Sequence, residues 1–424
     1  MSAASPGAPR PLDGVVVLEL GQILAGPFAG QILAAFGAEV IHVEPPDGGD
    51  PIRGWRGLDP ADGTSLWWRS LGRNKRSVAI DLAAPRGQEL VRALARRADV
   101  VIENFRPGTL ERWGLGPEVL CADNPRLVLT RVSGFGQTGP YAQRPGYAAV
   151  CEAFGGLRHL TGRPGEVPVR ANLSLGDSLA GLYAALGVLL ALRARDADAE
   201  RRGQVIDVAI FEAVFAMLES SVPELDRLGE ARGPSGTSIT GVVPSNVYPC
   251  ADGRQLVIGA NNTSNYRRLM RAVGRADFAD DSALATNPGR VARREEIDDA
   301  IAAWTRTLPA AAVVERLVAA AVPVSTIYSV ADMAADPHYA ARGLFERLRV
   351  GDHDVAFAAT GPKLSRTPAR EEWAGGELGA DTRAVLAERL GLDDAEIAEL
   401  ARAGVIGLRS GVDEAMTGGG NRAE

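Results

Sequence analysis

The feature that most constrains the fold of this chain is a recurring alternation of short β-branched runs with helix-length apolar segments. Val15-Val-Val-Leu-Glu-Leu20 is followed by an Ala-, Leu- and Ile-rich stretch over 26–36, then by Glu39-Val-Ile-His-Val-Glu44, which stops at Pro45-Pro46. Strand, helix and strand at this spacing make a βαβ unit, which demands a parallel sheet and a right-handed crossover. The pattern repeats: Ser77-Val-Ala-Ile-Asp81 precedes a helical 85–97, and Asp99-Val-Val-Ile-Glu103 and Arg126-Leu-Val-Leu-Thr-Arg-Val132 follow. The first ~135 residues therefore read as a doubly wound α/β domain.

Beyond that point the pattern changes. An apolar, helix-like run over 179–192 gives way to a charged segment over 193–202, the strand-like Gln204-Val-Ile-Asp-Val208, and a helix over 209–220. The run over 179–192 is too short to span a bilayer and contains two glycines, so it is expected as a buried helix rather than an anchor. Residues 225–241 are polar and rich in Gly and Ser, as in a linker or active-site loop. From Ser245 the sequence reads as a smaller α+β domain, with a hairpin around Asp252-Gly253 and helices near 264–273, 294–306 and 309–321. Two closing helices are expected over 381–390 and 393–403.

At 424 residues two domains are the natural expectation, and 46% hydrophobic with 23% charged residues supports a full core. A net charge of −7 argues against a general nucleic-acid binder, although local basic clusters can still meet a phosphorylated small molecule. Cys121, Cys151 and Cys250 are odd in number and far apart, which fits a reducing cytoplasm and no metal or disulfide framework. The first ten residues lack an apolar signal core and read as a flexible leader.

Leu173-Ser-Leu-Gly-Asp-Ser-Leu-Ala-Gly181 places a lone carboxylate, Asp177, at the start of the apolar helical run. One reading is an ordinary N-cap. The other is a nucleophile: neighbouring glycines admit a bulky electrophile, and free N–H groups of a helix N-terminus can hold an oxyanion. Gly134-Phe-Gly-Gln-Thr-Gly139 has the letters of a dinucleotide-binding loop, but Pro140 and Pro145 follow where a helix would have to open, which weighs against a nicotinamide-dependent oxidoreductase. Gly72-Arg-Asn-Lys-Arg-Ser77 and the arginines Arg106 and Arg112 lie near strand ends, where cations can converge on phosphates or simply face solvent. His42, His159, His338 and His353 show neither zinc spacing nor a hydrolase triad; His42 is expected to be structural, and His159 is the one histidine considered for catalysis. Without a metal, triad or nucleotide loop, Asp177 is the candidate nucleophile.

Along the chain stand Pro11-Leu-Asp-Gly14, Ala25-Gly-Pro27, Gly37-Ala-Glu-Val-Ile41, Asn74-Lys-Arg-Ser77, Glu103-Asn-Phe-Arg-Pro-Gly108, Ser133-Gly-Phe-Gly-Gln-Thr-Gly-Pro140 and Gly176-Asp-Ser178. In this order, these motifs resemble the class III CoA-transferases. The resemblance runs from Pro11 to about Ala403. It implies a catalytic aspartate at Asp177 and coenzyme A contacts at Leu24, Ala25, Gly72, Arg73, Asn74, Lys75, Asn104, Phe105, Arg106 and Arg112. Pro45 and Pro145 stand where some members carry an arginine and a lysine, with Arg144 adjacent to the latter.

The resemblance further implies transfer of CoA from an acyl-CoA donor to a small carboxylic acid, with a dicarboxylate such as succinate a candidate. The route is an aspartyl mixed anhydride and an aspartyl-CoA thioester, with no tightly bound cofactor and no metal. Related racemases of 2-methylacyl-CoA thioesters use a histidine opposite the aspartate. The matching stretch here, Gln143-Arg-Pro-Gly-Tyr147, has none, which favours transfer. The implied fold is a Rossmann-like large domain over 11–222, a linker over 223–244, a small α+β domain over 245–328 and a return segment over 329–408 completing the large domain. Residues 409–424 are expected as a disordered tail, and the resemblance implies an interlocked homodimer.

Overall fold

The computed structural model describes residues 9–409, so 1–8 of the expected leader and 410–424 of the expected tail lie outside the described residues. The chain forms two compact units, the larger drawn from stretches ending at Gly155, running over Ala171–Met217 and starting again at Gly343, the smaller from Gly156–Arg170 and Leu218–Arg342.

The larger unit is built on a seven-stranded sheet. Six strands, β1 (Val16–Glu19), β2 (Glu39–Glu44), β3 (Lys75–Ile80), β4 (Val100–Glu103), β5 (Val128–Ser133) and β6 (Val205–Ala209), lie parallel in the order β3-β2-β1-β4-β5-β6. A short strand from the far end of the chain, Ile406–Gly407, closes the β3 edge antiparallel. Alternate residues of each strand point to opposite faces. Val17, Val40, Val100, Ile102, Val128 and Val132 pack on one face with helices Ala25–Ala35 and Leu175–Ala197. Leu18, Ile41, Val43, Val78, Val101 and Leu129 pack on the other with helices Pro85–Ala95, Thr382–Leu390 and Asp394–Arg402. Covering both faces is what a parallel sheet requires, and it explains the nearly unbroken apolar strands. The last of these helices starts at a reciprocal cap, Asp393 with Glu396.

Helix Leu175–Ala197 corrects the reading of its apolar run. It is 23 residues long and, by length and composition, apolar enough to cross a membrane. It is not buried all round: Ala180, Ala184, Val188 and Ala191 enter the core, while Leu182, Tyr183, Leu186, Leu189 and Leu190 stay exposed. Small side chains on the inner stripe allow close packing, and the larger ones are left outside.

The smaller unit has an antiparallel sheet of β7 (Ser245–Pro249), β8 (Gln255–Gly259) and β9 (Val324–Thr326), with Gly253 at φ +79° in the β7–β8 turn. Its core joins Tyr248, Leu256 and Ile258 to Tyr266, Leu269, Ile301 and Leu317 from helices Thr263–Val273, Arg294–Thr305 and Ala310–Ala319. Part of the expected linker is helical, over Ser221–Leu228, ended by Gly229 at φ +71°. This unit also takes 156–170 and 329–342, beyond the expected limits of the small domain. One cause is a long-range bond that local composition does not announce: the Gly236 amide donates to the Gly162 carbonyl at 2.8 Å.

Candidate active site

In the order β3-β2-β1-β4-β5-β6 the connections leave β1 and β4 in opposite directions, so a crevice opens beyond their carboxyl ends, where open α/β sheets bind ligands. A cavity of about 240 Å³ lies there. Gln22, Ile23, Leu24 and Ala25 line it after β1; Asn104, Phe105, Arg106 and Pro107 line it after β4. Val132 and Ser133 come from the end of β5 and Gly134 follows them, and Arg144, Pro145, Gly146, Tyr147, Asp177 and Ile210 complete the wall. No histidine lines it, and His159 is exposed on a short helix of the smaller unit.

The two loops are held by one side chain. The Gln22 amide donates to Asn104 Oδ1 and Asn104 Nδ2 donates to the Gln22 carbonyl, both at 2.8 Å. Gly21 must lack a side chain here, because a Cβ would stand 2.8 Å from Asn104 Oδ1. Helix Ala25–Ala35 then opens directly from the cavity wall, so the N–H groups of Ala25 and Gly26, which precede the first helical bond from the Phe28 N–H to the Leu24 carbonyl at 2.7 Å, begin beside the cavity.

Asp177 lies in the first turn of its helix, but the N-cap position is Ser174, so the capping reading of Asp177 is corrected. A carboxylate in the first turn is favoured by the positive end of the helix dipole. The neighbouring glycines do not leave the expected opening for an electrophile. A Cβ on Gly176 would meet Glu152 Cγ and Ile210 Cγ2 at 3.2 Å, and one on Gly181 would stand 2.8 Å from the Ala25 carbonyl oxygen. They serve close packing: Gly181 brings the Asp177 helix against the start of helix Ala25–Ala35, and Gly176 admits Glu152. The buried Glu152 carboxylate accepts the Gly176 N–H at 3.1 Å. Cys151 is no rival nucleophile: burial first, then the Asp177 and Glu152 carboxylates, push its thiol up to about 12.

The basic residues divide by position. Arg106 and Arg144 are exposed at the cavity and have no carboxylate partner among the described residues; Arg144 lies over the Tyr141 ring at 3.5 Å. Arg112 lies outside the cavity wall, on the next short helix, with Nη2 donating to Thr109 Oγ1 at 3.0 Å.

The turn 72–75, expected as a ligand contact, does not reach the cavity. It precedes β3, whereas 104–107 follows β4, and in a parallel sheet those are opposite edges. Its residues are buried in other work. Gly72 packs against Gly375 and Trp68, and Arg73 donates to the Ser70 and Ala358 carbonyls. Asn74 binds the Arg370 carbonyl and the Glu372 amide, docking the returning chain. Lys75 is 3% exposed and bonded to Glu19 and the Pro27 carbonyl.

Gln22, Ile23, Ser133, Tyr147, Ile210 and Glu152 were not singled out from sequence. The loop residues follow from the switch-point rule once strand order is known. For Glu152 the only local signal is an acid within the otherwise apolar Ala148–Phe154 helix.

Comparison with known proteins agrees with this geometry. The profile of CoA-transferase family III matches residues 12–382. A succinyl-CoA–D-citramalate CoA-transferase of Chloroflexus aurantiacus is 46% identical over 411 residues, covering 96% of this chain and 100% of that protein. The human succinyl-CoA:glutarate CoA-transferase is 33% identical over 94% of this chain and 90% of its own length. The crystal structure of a CAIB/BAIF family protein from Brucella suis superposes with a TM-score of 0.80 at 33% identity, over 90% of this chain and 99% of that one. A chain with these matches, and with a cavity at the switch point of its sheet, belongs to CoA-transferase family III and is an enzyme that acts on CoA thioesters.

Proposed function

We propose that this enzyme moves CoA from succinyl-CoA to a second small dicarboxylic acid, with Asp177 as nucleophile. The observation that carries the reading is the position of Asp177. It is a first-turn carboxylate on a cavity that also presents the backbone of residues 22–25 and two guanidinium groups without carboxylate partners among the described residues. Similar proteins named for succinyl-CoA with D-citramalate, L-malate or glutarate support a dicarboxylate acceptor.

In this scheme the Asp177 carboxylate attacks the thioester carbonyl, forming an aspartyl–succinyl anhydride as the C–S bond breaks and CoA leaves as thiolate. The thiolate attacks the aspartyl carbonyl of the anhydride, giving an aspartyl-CoA thioester and free succinate. The acceptor carboxylate attacks that thioester, and the thiolate returns to the acceptor's acyl carbon, regenerating Asp177. No proton is consumed overall, so the protein's task is positioning and stabilising the oxyanion. We assign that stabilisation to the backbone N–H of Gly134 on the glycine loop, with Arg106 and Arg144 on the phosphates of CoA. A histidine-assisted α-proton transfer finds no histidine on the cavity wall.

Two further readings belong to the proposal. The exposed apolar stripe of helix Leu175–Ala197 supports an interlocked homodimer, and three free cysteines support a cytoplasmic site of action. Asp177→Ala and Asp177→Asn are expected to abolish transfer while retaining CoA binding, and hydroxylamine added during turnover should leave a hydroxamate at residue 177. Full activity in either variant sinks the mechanism. A matrix of acyl-CoA donors against free acids, read by mass spectrometry of the CoA esters, decides the substrate pair.

A further inference from the structure

Beneath the cavity wall runs a string of buried ionisable side chains that the transfer chemistry does not use. Strand alternation puts Glu19 and His42 on the same face as Val17 and Val40, toward helix Ala25–Ala35. Lys75 Nζ lies 2.7 Å from Glu19 Oε1, and His42 Nδ1 lies 2.6 Å from the same oxygen. His42 Nε2 then approaches Asp50 Oδ2 at 3.7 Å. All four residues are 3% exposed or less. Burying ions costs several kcal/mol apiece unless they are paired, so such a string is not neutral filling.

One end of the string grips the cavity wall, and the other grips the helical turn that follows it. Asp50 accepts the Ile23 N–H with both carboxylate oxygens, at 3.1 and 2.9 Å, and Oδ1 also takes the Ile52 N–H at 2.9 Å. Lys75 donates to the Pro27 carbonyl at 2.7 Å. Between these grips stand Leu24 and Ala25, whose residues line the cavity. Ile23 is held at φ +69°, a conformation that a β-branched residue adopts only when its surroundings impose it. Room for the string is made by Gly30, where a Cβ would fall 1.7 Å from Glu19 Oε2.

We propose that Lys75–Glu19–His42–Asp50 is a positioning device, which fixes residues 23–27 so that the backbone of Leu24 and Ala25 meets the pantetheine arm of the acyl-CoA. The inference rests on the reading of the cavity as the CoA site. It makes Asp50 and Lys75 positioning residues that act through the wall without touching the ligand, and it gives Lys75 a role distinct from phosphate binding.

The test is steady-state kinetics with two donors, succinyl-CoA and succinyl-pantetheine, the second lacking every phosphate. Asp50→Ala should raise KM for both by a like factor, on the order of tenfold, with kcat changed less. Asp50→Asn, which keeps an acceptor oxygen, should stay within a few-fold of wild type. Adding Ile23→Gly to Asp50→Ala should recover part of the loss, because glycine takes a positive φ without strain. Lys75→Met should weaken both donors alike, and this arm carries the test if Asp50→Ala does not fold. Unchanged KM values in folded Asp50→Ala, or a Lys75→Met defect confined to succinyl-CoA, would overturn the proposal. A wild-type protein that turns over no acyl-CoA would instead defeat the CoA reading, before any variant is compared.

Discussion

Asn104 and Gln22 close a ring of two hydrogen bonds, each 2.8 Å long, that ties the loop after β1 to the loop after β4 across the mouth of the crevice. The amide of Asn104 matches the Gln22 peptide group donor to acceptor and acceptor to donor, so neither loop can move alone. Its place on the cavity wall makes this clamp part of the proposed CoA site, although its polar atoms are engaged by protein.

Asn104→Asp keeps the acceptor but replaces the donor with an oxygen facing the Gln22 carbonyl. We expect a loss of about 1–3 kcal/mol in stability together with a raised KM for succinyl-CoA. Urea melts and donor kinetics on the same preparation measure both. A neutral Asn104→Asp would mean that the ring does not hold the loops.

Gly181→Ala pits helix propensity against packing. Alanine gains up to about 1 kcal/mol in a helix interior, but its methyl would stand 2.8 Å from the Ala25 carbonyl oxygen. Backbone has little freedom to retreat, so overpacking of about 1–3 kcal/mol wins and the variant unfolds at lower urea. Because the displaced helix carries Asp177, kcat should fall as well.

Arg106→Gln and Arg144→Gln each remove a cation that has no carboxylate partner among the described residues. Each should raise KM for succinyl-CoA on the order of tenfold, as loss of a charge-assisted bond does. The penalty should shrink in high salt and vanish with succinyl-pantetheine. An equal penalty on both donors would show that these arginines shape the cavity instead of binding phosphate.

Burial pushes the Glu103 carboxyl up to about 7, even with Arg131 Nε at 2.8 Å. The folded value lies above the ordinary carboxylate value, so folding takes up a proton between the two. The stabilising contribution is therefore complete below the ordinary value, 4.5, and is lost as pH rises through about 7. Relative to Glu103→Gln, the wild-type Tm should fall between about pH 5 and 8 and level off beyond. A constant difference across that range would show that Arg131 holds the carboxylate ionised throughout.

Much of the large unit was legible locally. Strands such as Glu39–Glu44 and Val128–Ser133 are short apolar runs whose two faces are both covered, and that burial is what selected β-branched and aliphatic residues. Asp177 was legible as a carboxylate at a helix start. Its glycines were misread, because an absent side chain looks the same in sequence whether it makes room for a substrate or for Glu152 and Ala25. That the basic turn at 72–75 lies away from the cavity was not legible for a related reason. Composition shows cations near a strand end, but only the direction of β3 tells which edge of the sheet that end occupies.

The sequence by itself determined the alternation of elements, the parallel sheet and the family motifs, since each is written in residues close along the chain or in their order. Only the tertiary structure decided which of those residues meet at the crevice. Strand order separates Lys75 from Arg106, joins Asn104 to Gln22, and threads Asp50 under Ile23. Those relations depend on contacts between distant segments, and burial then gives one residue type, a lysine or an aspartate, the role of ligand contact or of internal support.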